Sequence, residues 1–312
     1  MKNYGWMQKD TILHFLNNLR DPASRQIRQK AEKVAGFDTG VLLYGETGTG
    51  KDFWADFIRM AGGRGRMVNL NCGDVPENLL ESEWFGYSRG AFTGAENDRP
   101  GRWAAAGDGI IFLNQIDLLS LNMQSRLLRI IERKKYFPLG STAESTVAAR
   151  FLFSADQDIE DKVKGGKFRK DLYYRISAYA IHIPPLRERR EDIIPLMEYF
   201  ASQEGLEVSL TRKGKKRLMD HRWEGNIREL QNFVRNISIT KAAIDDTVTE
   251  TLQTKRFDPE QQFASGDLSL REMEGRYIRH LIKKYGNKSL VARILGISRK
   301  SLYDRMEKYG KD

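Results

Sequence analysis

The sequence predicts an α/β fold: a mainly parallel sheet with helices on both faces, then a smaller helical lid, then a basic helix-turn-helix tail. Three observations support this. Between residues 21 and 183, apolar runs at 41–44, 67–70, 110–113, 151–153 and 179–183 alternate with helical patterns. The first run, Val41-Leu42-Leu43-Tyr44, enters Gly45-Glu46-Thr47-Gly48-Thr49-Gly50-Lys51, and a helical pattern with Phe53, Trp54, Phe57 and Ile58 leaves it. From residue 191 to 243 the periodic segments, 191–204, 211–220 and 225–242, are all helical.

In chain order, residues 1–20 read as a short amphipathic helix with Ile12, Leu13, Phe15, Leu16 and Leu19 apolar, packing on the next domain. Asp21-Pro22 breaks it, and the α/β subdomain occupies 21–183. Its glycine-rich loop has complete G-x-x-x-x-G-K spacing in a strand–loop–helix context. Backbone N–H groups of such a loop turn toward phosphate oxygens, and the helix dipole favours the negative charge. Lys51 reaches the β- and γ-phosphates of a bound nucleotide. Asp52 stands where Ser or Thr usually follows the Lys as a magnesium ligand. A plain glycine-rich turn is the simpler alternative, but the spacing and context favour the phosphate loop. Pro184-Pro185 ends the sheet layer, 184–243 form the helical lid, and the polar stretch 244–268 reads as a linker.

Bulk properties set the remaining bounds. A chain of 312 residues fits roughly two domains. A hydrophobic content of 40% supports a real core. The net charge is +10, with Lys and Arg 12 against Asp and Glu 5 in residues 269–312, so 12 − 5 = +7 lies in the tail. That concentration points to nucleic acid. A single cysteine, Cys72, excludes a disulfide framework or zinc cluster and fits a reducing cytoplasm. No run approaches the ~18 apolar residues of a membrane span, so no membrane partner is expected.

Several further motifs point to one family. Residues 81–95, Glu-Ser-Glu-Trp-Phe-Gly-Tyr-Ser-Arg-Gly-Ala-Phe-Thr-Gly-Ala, resemble the signature loop of bacterial sigma-54-dependent activators. Those are AAA+ ring ATPases that remodel the closed complex of sigma-54 RNA polymerase. Phe168-Arg169-Lys170-Asp171-Leu172-Tyr173-Tyr174-Arg175 is similar to the family's arginine-finger segment. Residues 184–193, Pro-Pro-Leu-Arg-Glu-Arg-Arg-Glu-Asp-Ile, and 223–230, Trp-Glu-Gly-Asn-Ile-Arg-Glu-Leu, resemble its later landmarks.

The resemblance implies roles. Gly90, Ala91, Phe92, Thr93, Gly94 and Ala95 would touch sigma-54, with Phe92 and Thr93 as the contact residues. Arg169 and Arg175 would reach across a subunit boundary to the neighbour's γ-phosphate. A guanidinium suits this because it stays charged and binds two oxygens at once. On residue type alone, both arginines would instead pair with local carboxylates such as Asp171. Arg228 matches a second sensor reading nucleotide in its own subunit, and Asn71 a switch that holds the catalytic acid. The family implies ATP and Mg²⁺, enhancer DNA, and a ring (a hexamer in the family). The chain begins almost at the ATPase domain, so no front regulatory domain is expected, and regulation would come from expression, a regulatory protein or mixed assembly.

The sequence departs from the family where chemistry is decided. The strand Ile110-Ile111-Phe112-Leu113 should end in Asp-Glu; here Asn114-Gln115 follow. Asn114 keeps a carbonyl oxygen, a weak Mg²⁺ ligand, but lacks the charge. Gln115 keeps the shape and a hydrogen bond to Asn71, but an amide takes no proton, and general-base catalysis is typically worth ~10²–10⁴. Asp117 is a poor substitute, since family members carry an acid there as well. Asp156 falls where the family's first sensor is usually Asn, and its carboxylate would repel a γ-phosphate. Glu224 replaces the usual Pro at the lid's helix entry. ATP is therefore expected to bind and to hydrolyse slowly. Lys51, both fingers and the 90–95 loop are intact, which suits a mixed ring with a hydrolysing paralogue.

In the tail, Asn287-Lys288-Ser289 opens a helix through Leu295, Gly296 turns, and Ser298 caps a second helix from Arg299 to Tyr309. Ala292, Leu295, Ile297, Leu302 and Met306 would fill the angle between them. This resembles the Fis-type helix-turn-helix of the same family. Arg299, Lys300, Ser301, Tyr303 and Arg305 are the candidate DNA contacts. A preceding helix with Arg271, Met273, Tyr277, Ile278 and Leu281 would mediate dimers. The sequence thus predicts a sigma-54-dependent activator working in a bacterial cytoplasm on the nucleoid. Its rival is a DNA-bound, nucleotide-sensing regulator whose AAA+ domain only assembles. A general P-loop chaperone fails to explain the 90–95 loop and the basic tail.

Overall fold

The computed structural model describes residues 9–73, 76–240 and, in the tail, 274–275, 277–278, 281–282, 288, 291–292, 295 and 297–309. The expected linker 244–268, Arg271, Met273, Asn287, Ser289 and Gly296 lie outside the described residues. The chain divides into two units, Met1–Gln253 and Thr254–Asp312.

The first unit runs α1 (Lys9–Asn18), α2 (Pro22–Ala35), β1 (Val41–Tyr44), α3 (Lys51–Ala61), β2 (Met67–Asn71), α4 (Glu77–Phe85), β3 (Gly86–Tyr87), β4 (Arg99–Pro100), β5 (Ile110–Asn114) and α5 (Leu121–Arg133). It continues with β6 (Lys135–Tyr136), β7 (Ser145–Thr146), β8 (Arg150–Ala155), α6 (Ile159–Lys164), α7 (Lys170–Ile176), β9 (Ala180–His182), α8 (Ile193–Gln203), α9 (Arg212–Asp220) and α10 (Asn226–Thr240).

β2, β5, β8, β1 and β9 form a five-stranded sheet in that order, with every pairing parallel. The expected apolar runs are its strands. They are apolar throughout because both faces are covered. Along β5, Ile110 and Phe112 enter one core while Ile111 and Leu113 enter the other. α1, α2, α3 and the lid helices cover the first face; α4, α5 and α7 cover the second.

Local chemistry sets the helix starts. Asp21 caps α2 by accepting the Ala23 N–H at 3.0 Å, with Pro22 at the first helical position. Ser120 caps α5 and Thr211 caps α9 in the same way. The N-terminal helix packs as expected: Ile12, Phe15, Leu16 and Leu19 are buried, and the Phe15 ring lies 4.3 Å from that of Phe53. The lid helices begin and end within two residues of their expected bounds, α10 being described to Thr240.

In the second unit, Ile278, Leu281, Val291, Ala292 and Leu302 form a core, with Leu295, Ile297 and Met306 packed against it. The expected recognition helix is α11 (Arg299–Tyr309).

Candidate nucleotide site and contact loop

The glycine-rich loop joins β1 to α3 at the C-terminal edge of the sheet. Gly48 sits at φ +81°, where a Cβ would meet the Gly225 carbonyl oxygen at 2.4 Å, so only glycine fits. Thr49 is fully buried and donates its hydroxyl to the Glu46 carbonyl at 2.8 Å. Lys51 Nζ donates to the carbonyls of Gly45 at 2.5 Å and Glu46 at 3.0 Å. Burial pushes the Lys51 pKa down, while the charges of Asp156, Asp117 and Asp52 oppose that shift.

A cleft of about 360 Å³ opens over this loop. Thr47, Gly48, Gly50, Lys51, Asp52, Asn71, Asn114, Gln115, Asp156 and Arg228 line it, as the sequence expects. Asp117, Lys162, Ile227 and Gln231 line it as well. Sequence reasoning did not name Lys162 or Gln231. Their only signal was helical spacing, Lys162 four positions after Asp158 and Gln231 three after Arg228.

The amides of the second motif take definite orientations. Asn114 Oδ1 accepts a short hydrogen bond from the Ser154 hydroxyl, and Asn114 Nδ2 donates to Asp52 Oδ1 at 2.9 Å. The expectation that Asn114 offers its carbonyl oxygen to a metal is therefore corrected: that oxygen is occupied by Ser154. Gln115 follows in left-handed backbone, φ +59° and ψ +49°, its N–H donating to Ser154 Oγ at 3.0 Å. Asn71 lies opposite Asn114 in the β2–β5 register, and its Oδ1 accepts the Gly73 N–H at 3.2 Å.

Asp117 cannot replace the missing base. It is buried, with Oδ2 accepting from Lys162 Nζ at 2.5 Å and Oδ1 from the Asp156 N–H at 3.2 Å. Asp156 accepts the Gln157 N–H at 2.6 Å through Oδ1, and its Oδ2 lies 3.5 Å from the Thr47 hydroxyl. A divalent cation accompanying a nucleotide needs hard oxygen ligands, typically one or two carboxylates plus phosphate oxygens. The donor set fits that need with Asp52 as the carboxylate at the motif positions. Burial pushes the Asp52 pKa up, partly offset by Lys51 and Arg228.

The lid is tied to the loop. The Ile227 N–H donates to the Gly48 carbonyl at 3.0 Å. Asn226, fully buried at φ +54°, donates to the Thr47 carbonyl at 3.0 Å and to Glu46 Oε2 at 3.1 Å, and accepts the Leu186 N–H at 2.7 Å. Arg187 grips the Glu46 carboxylate through two bonds of 2.5 and 2.8 Å. That pair holds the Glu46 pKa below the usual carboxylate range. Arg189, fully buried, donates to the Thr49 carbonyl at 2.6 Å.

The expected fingers differ in setting. Arg169 is held by Asp171 through bonds of 2.7 and 3.1 Å, the pairing that residue type alone suggested. Arg175, on the last turn of α7, is exposed and has no ion pair among the described residues.

The 90–95 loop closes on itself. The Gly90 N–H donates to the Ala95 carbonyl at 2.9 Å, and the Ala95 N–H to the Phe92 carbonyl at 3.0 Å. Ala95 is buried, Thr93 and Gly94 are exposed, and Phe92 is 48% exposed with its ring 4.9 Å from that of Tyr87. The turn between β6 and β7 braces the loop: the Ser88 N–H donates to the Leu139 carbonyl at 2.9 Å, and Gly140 lies against Ala91. The sequence gave no sign of this brace, whose Phe137 is 49% exposed.

In the second unit, Ser298 Oγ accepts the Ser301 N–H at 3.1 Å and caps α11. Arg299 and Lys300 are exposed and Ser301 is half-buried. Tyr303 carries Lys288 Nζ over its ring at 4.9 Å, and Arg305 bonds Glu274 at 2.5 Å. Two of the five candidate DNA contacts are thus engaged within the unit. Among the described residues no helix is long and apolar enough to cross a membrane.

This is a phosphate-loop module of AAA+ type with a helical lid, followed by a helix-turn-helix unit. Family models match in the same order: "Sigma-54 interaction domain" at residues 18–182, "AAA+ ATPase lid domain" at 187–264 and "Bacterial regulatory protein, Fis family" at 269–309. The chain belongs to the sigma-54-dependent transcriptional regulators. It is 32% identical to the transcriptional regulatory protein FlbD of Caulobacter vibrioides, over 93% of this chain and 70% of that one. It is 40% identical to the Nif-specific regulatory protein of Azotobacter vinelandii, over 73% and 44% respectively. Against ZraR of Klebsiella oxytoca the identity is 37%, over 92% and 67%. The chain thus spans from 44% to 70% of the length of these relatives. Crystal structures of NtrX from Brucella abortus with ADP and with ATP resemble it at TM-scores of 0.68 and 0.67 and identities of 28% and 26%. Each likeness covers 93% of this chain and 68% of NtrX.

Proposed function

We propose that this chain is a transcription activator that binds ATP and enhancer DNA and acts on sigma-54 RNA polymerase. One observation carries the reading: a Gly90–Ala95 loop with Phe92 half exposed, on the same domain as a complete phosphate loop. An apolar tip between glycines favours contact with a partner.

The chemistry follows from the cleft. The N–H groups of Gly48 to Lys51 and the α3 dipole hold the phosphates, and Lys51 neutralises their charge. A bound Mg²⁺ would neutralise phosphate charge, with Asp52 as its protein ligand. Gln115 orients water but cannot take its proton, so turnover is slow. Arg175, with Arg169, reaches the γ-phosphate of a neighbouring protomer, a contribution worth roughly 10³–10⁵ in rate. Arg228 reports nucleotide to the lid. The assembly is a ring, of this chain or mixed with a hydrolysing paralogue that uses these fingers and loops. Arg299, Lys300 and Ser301 meet DNA first, with Tyr303 and Arg305 behind them. The setting is the bacterial cytoplasm.

The test is open-complex formation by sigma-54 polymerase at a promoter bearing the chain's binding site. Loss of opening with Thr93→Ala supports the activator. Unchanged transcription supports the alternative, a DNA-bound nucleotide-sensing regulator with a non-hydrolysing AAA+ domain.

A further inference from the structure

The hydrogen bonds around Asn114 have fixed directions. Ser154 Oγ accepts the Gln115 N–H, so its single proton is left for Asn114 Oδ1. The Asn114 amide therefore turns its oxygen inward and its NH₂ toward Asp52 Oδ1, 2.9 Å away. An Asp at 114 would instead set two carboxylates face to face. Asp52 lines the cleft, and its Oδ2 makes no hydrogen bond with a described residue. The other cleft carboxylates are engaged: Asp117 by Lys162 and the Asp156 N–H, Asp156 by the Gln157 N–H and Thr47.

We propose that Asp52, on the first turn of α3, is the carboxylate ligand of the divalent cation that accompanies ATP, and that Asn114 is its positioning residue rather than a ligand. The cation's charge partner sits on the phosphate loop's own helix, and the strand supplies only an N–H that aims it. The change from acid to amide at 114 then redistributes the site's charge without abolishing it. This rests on the ATP reading of the cleft.

Equilibrium binding of a fluorescent ATP analogue to the full chain, in EDTA and across a Mg²⁺ titration, tests it. Wild type should bind in EDTA and bind more tightly as Mg²⁺ rises. Asp52→Asn, which keeps shape and a bond to Asn114, should bind in EDTA at least as well but lose the gain with Mg²⁺. Asp52→Glu should recover part of it. Asn114→Ala should shift the Mg²⁺ midpoint upward about 10–100-fold, as loss of a ligand's orienting partner typically does. An undiminished gain in Asp52→Asn, a gain lost in Asp156→Asn instead, or no gain in wild type would overturn the assignment. No binding by wild type in either buffer would overturn the ATP reading beneath it.

Discussion

At the scale of residues, Gln115 decides how fast the site turns over. Its backbone is held by Ser154 and its side chain faces the cleft, so placement is not what is missing. A base is missing. Gln115→Glu is expected to raise single-turnover ATP hydrolysis by roughly 10²–10⁴; an unchanged rate would show that proton abstraction does not limit this chain. The sequence made the loss of the acid legible, because a strand ending in Asn-Gln where Asp-Glu is usual is plain on the line. It could not show which way the Asn114 amide points. That depends on Ser154, 40 positions away, and on Asp52, 62 positions away, which only the β5–β8 register and the α3 start bring together. Asp192 is another such residue. Fully buried, it accepts the N–H groups of Arg20 and Asp21 and the Ser24 hydroxyl. Asp192→Ala should cost about 1–3 kcal/mol for each donor orphaned, measured by urea unfolding.

At the scale of elements, the loop and the lid behave as one latch. Glu46 on the loop, Arg187 after β9 and Asn226 at the start of α10 join in one hydrogen-bonded set. The folded state holds the Glu46 pKa below its ordinary value, with Arg187 as the largest cause. The stability this pair adds is therefore present above the unfolded carboxylate pKa and is lost as pH falls through the depressed one. Glu46→Gln should lower the melting temperature at neutral pH, and the gap from wild type should close below the carboxylate range. A gap constant with pH would mean that packing, not charge, joins the two elements. The five sheet strands were readable because burial on both faces makes them wholly apolar. The two-residue pairs β3–β4 and β6–β7 were not, being too short to show any period, although they carry and brace the Phe92 loop. Asn226 was equally hidden: a polar residue at a helix start looks like an ordinary cap until its left-handed backbone and burial are seen.

At the scale of the whole molecule, the account requires neighbouring protomers to share a site. In a Gln115→Glu background, Arg175→Ala subunits keep their own ATP cleft but lack the finger, and Lys51→Ala subunits have the reverse defect. Each set should hydrolyse slowly when pure, and mixing them should restore turnover; no recovery would place the arginine in its own subunit's chemistry. The central claim is that ATP in the Lys51 cleft governs the grip of the Phe92 loop on sigma-54. Its most direct test is retention of purified sigma-54 by the immobilised full chain, with and without ATP and Mg²⁺. The account predicts retention only with nucleotide, lost in Lys51→Ala and in Phe92→Ala. Retention indifferent to ATP, or undiminished by either substitution, would contradict it.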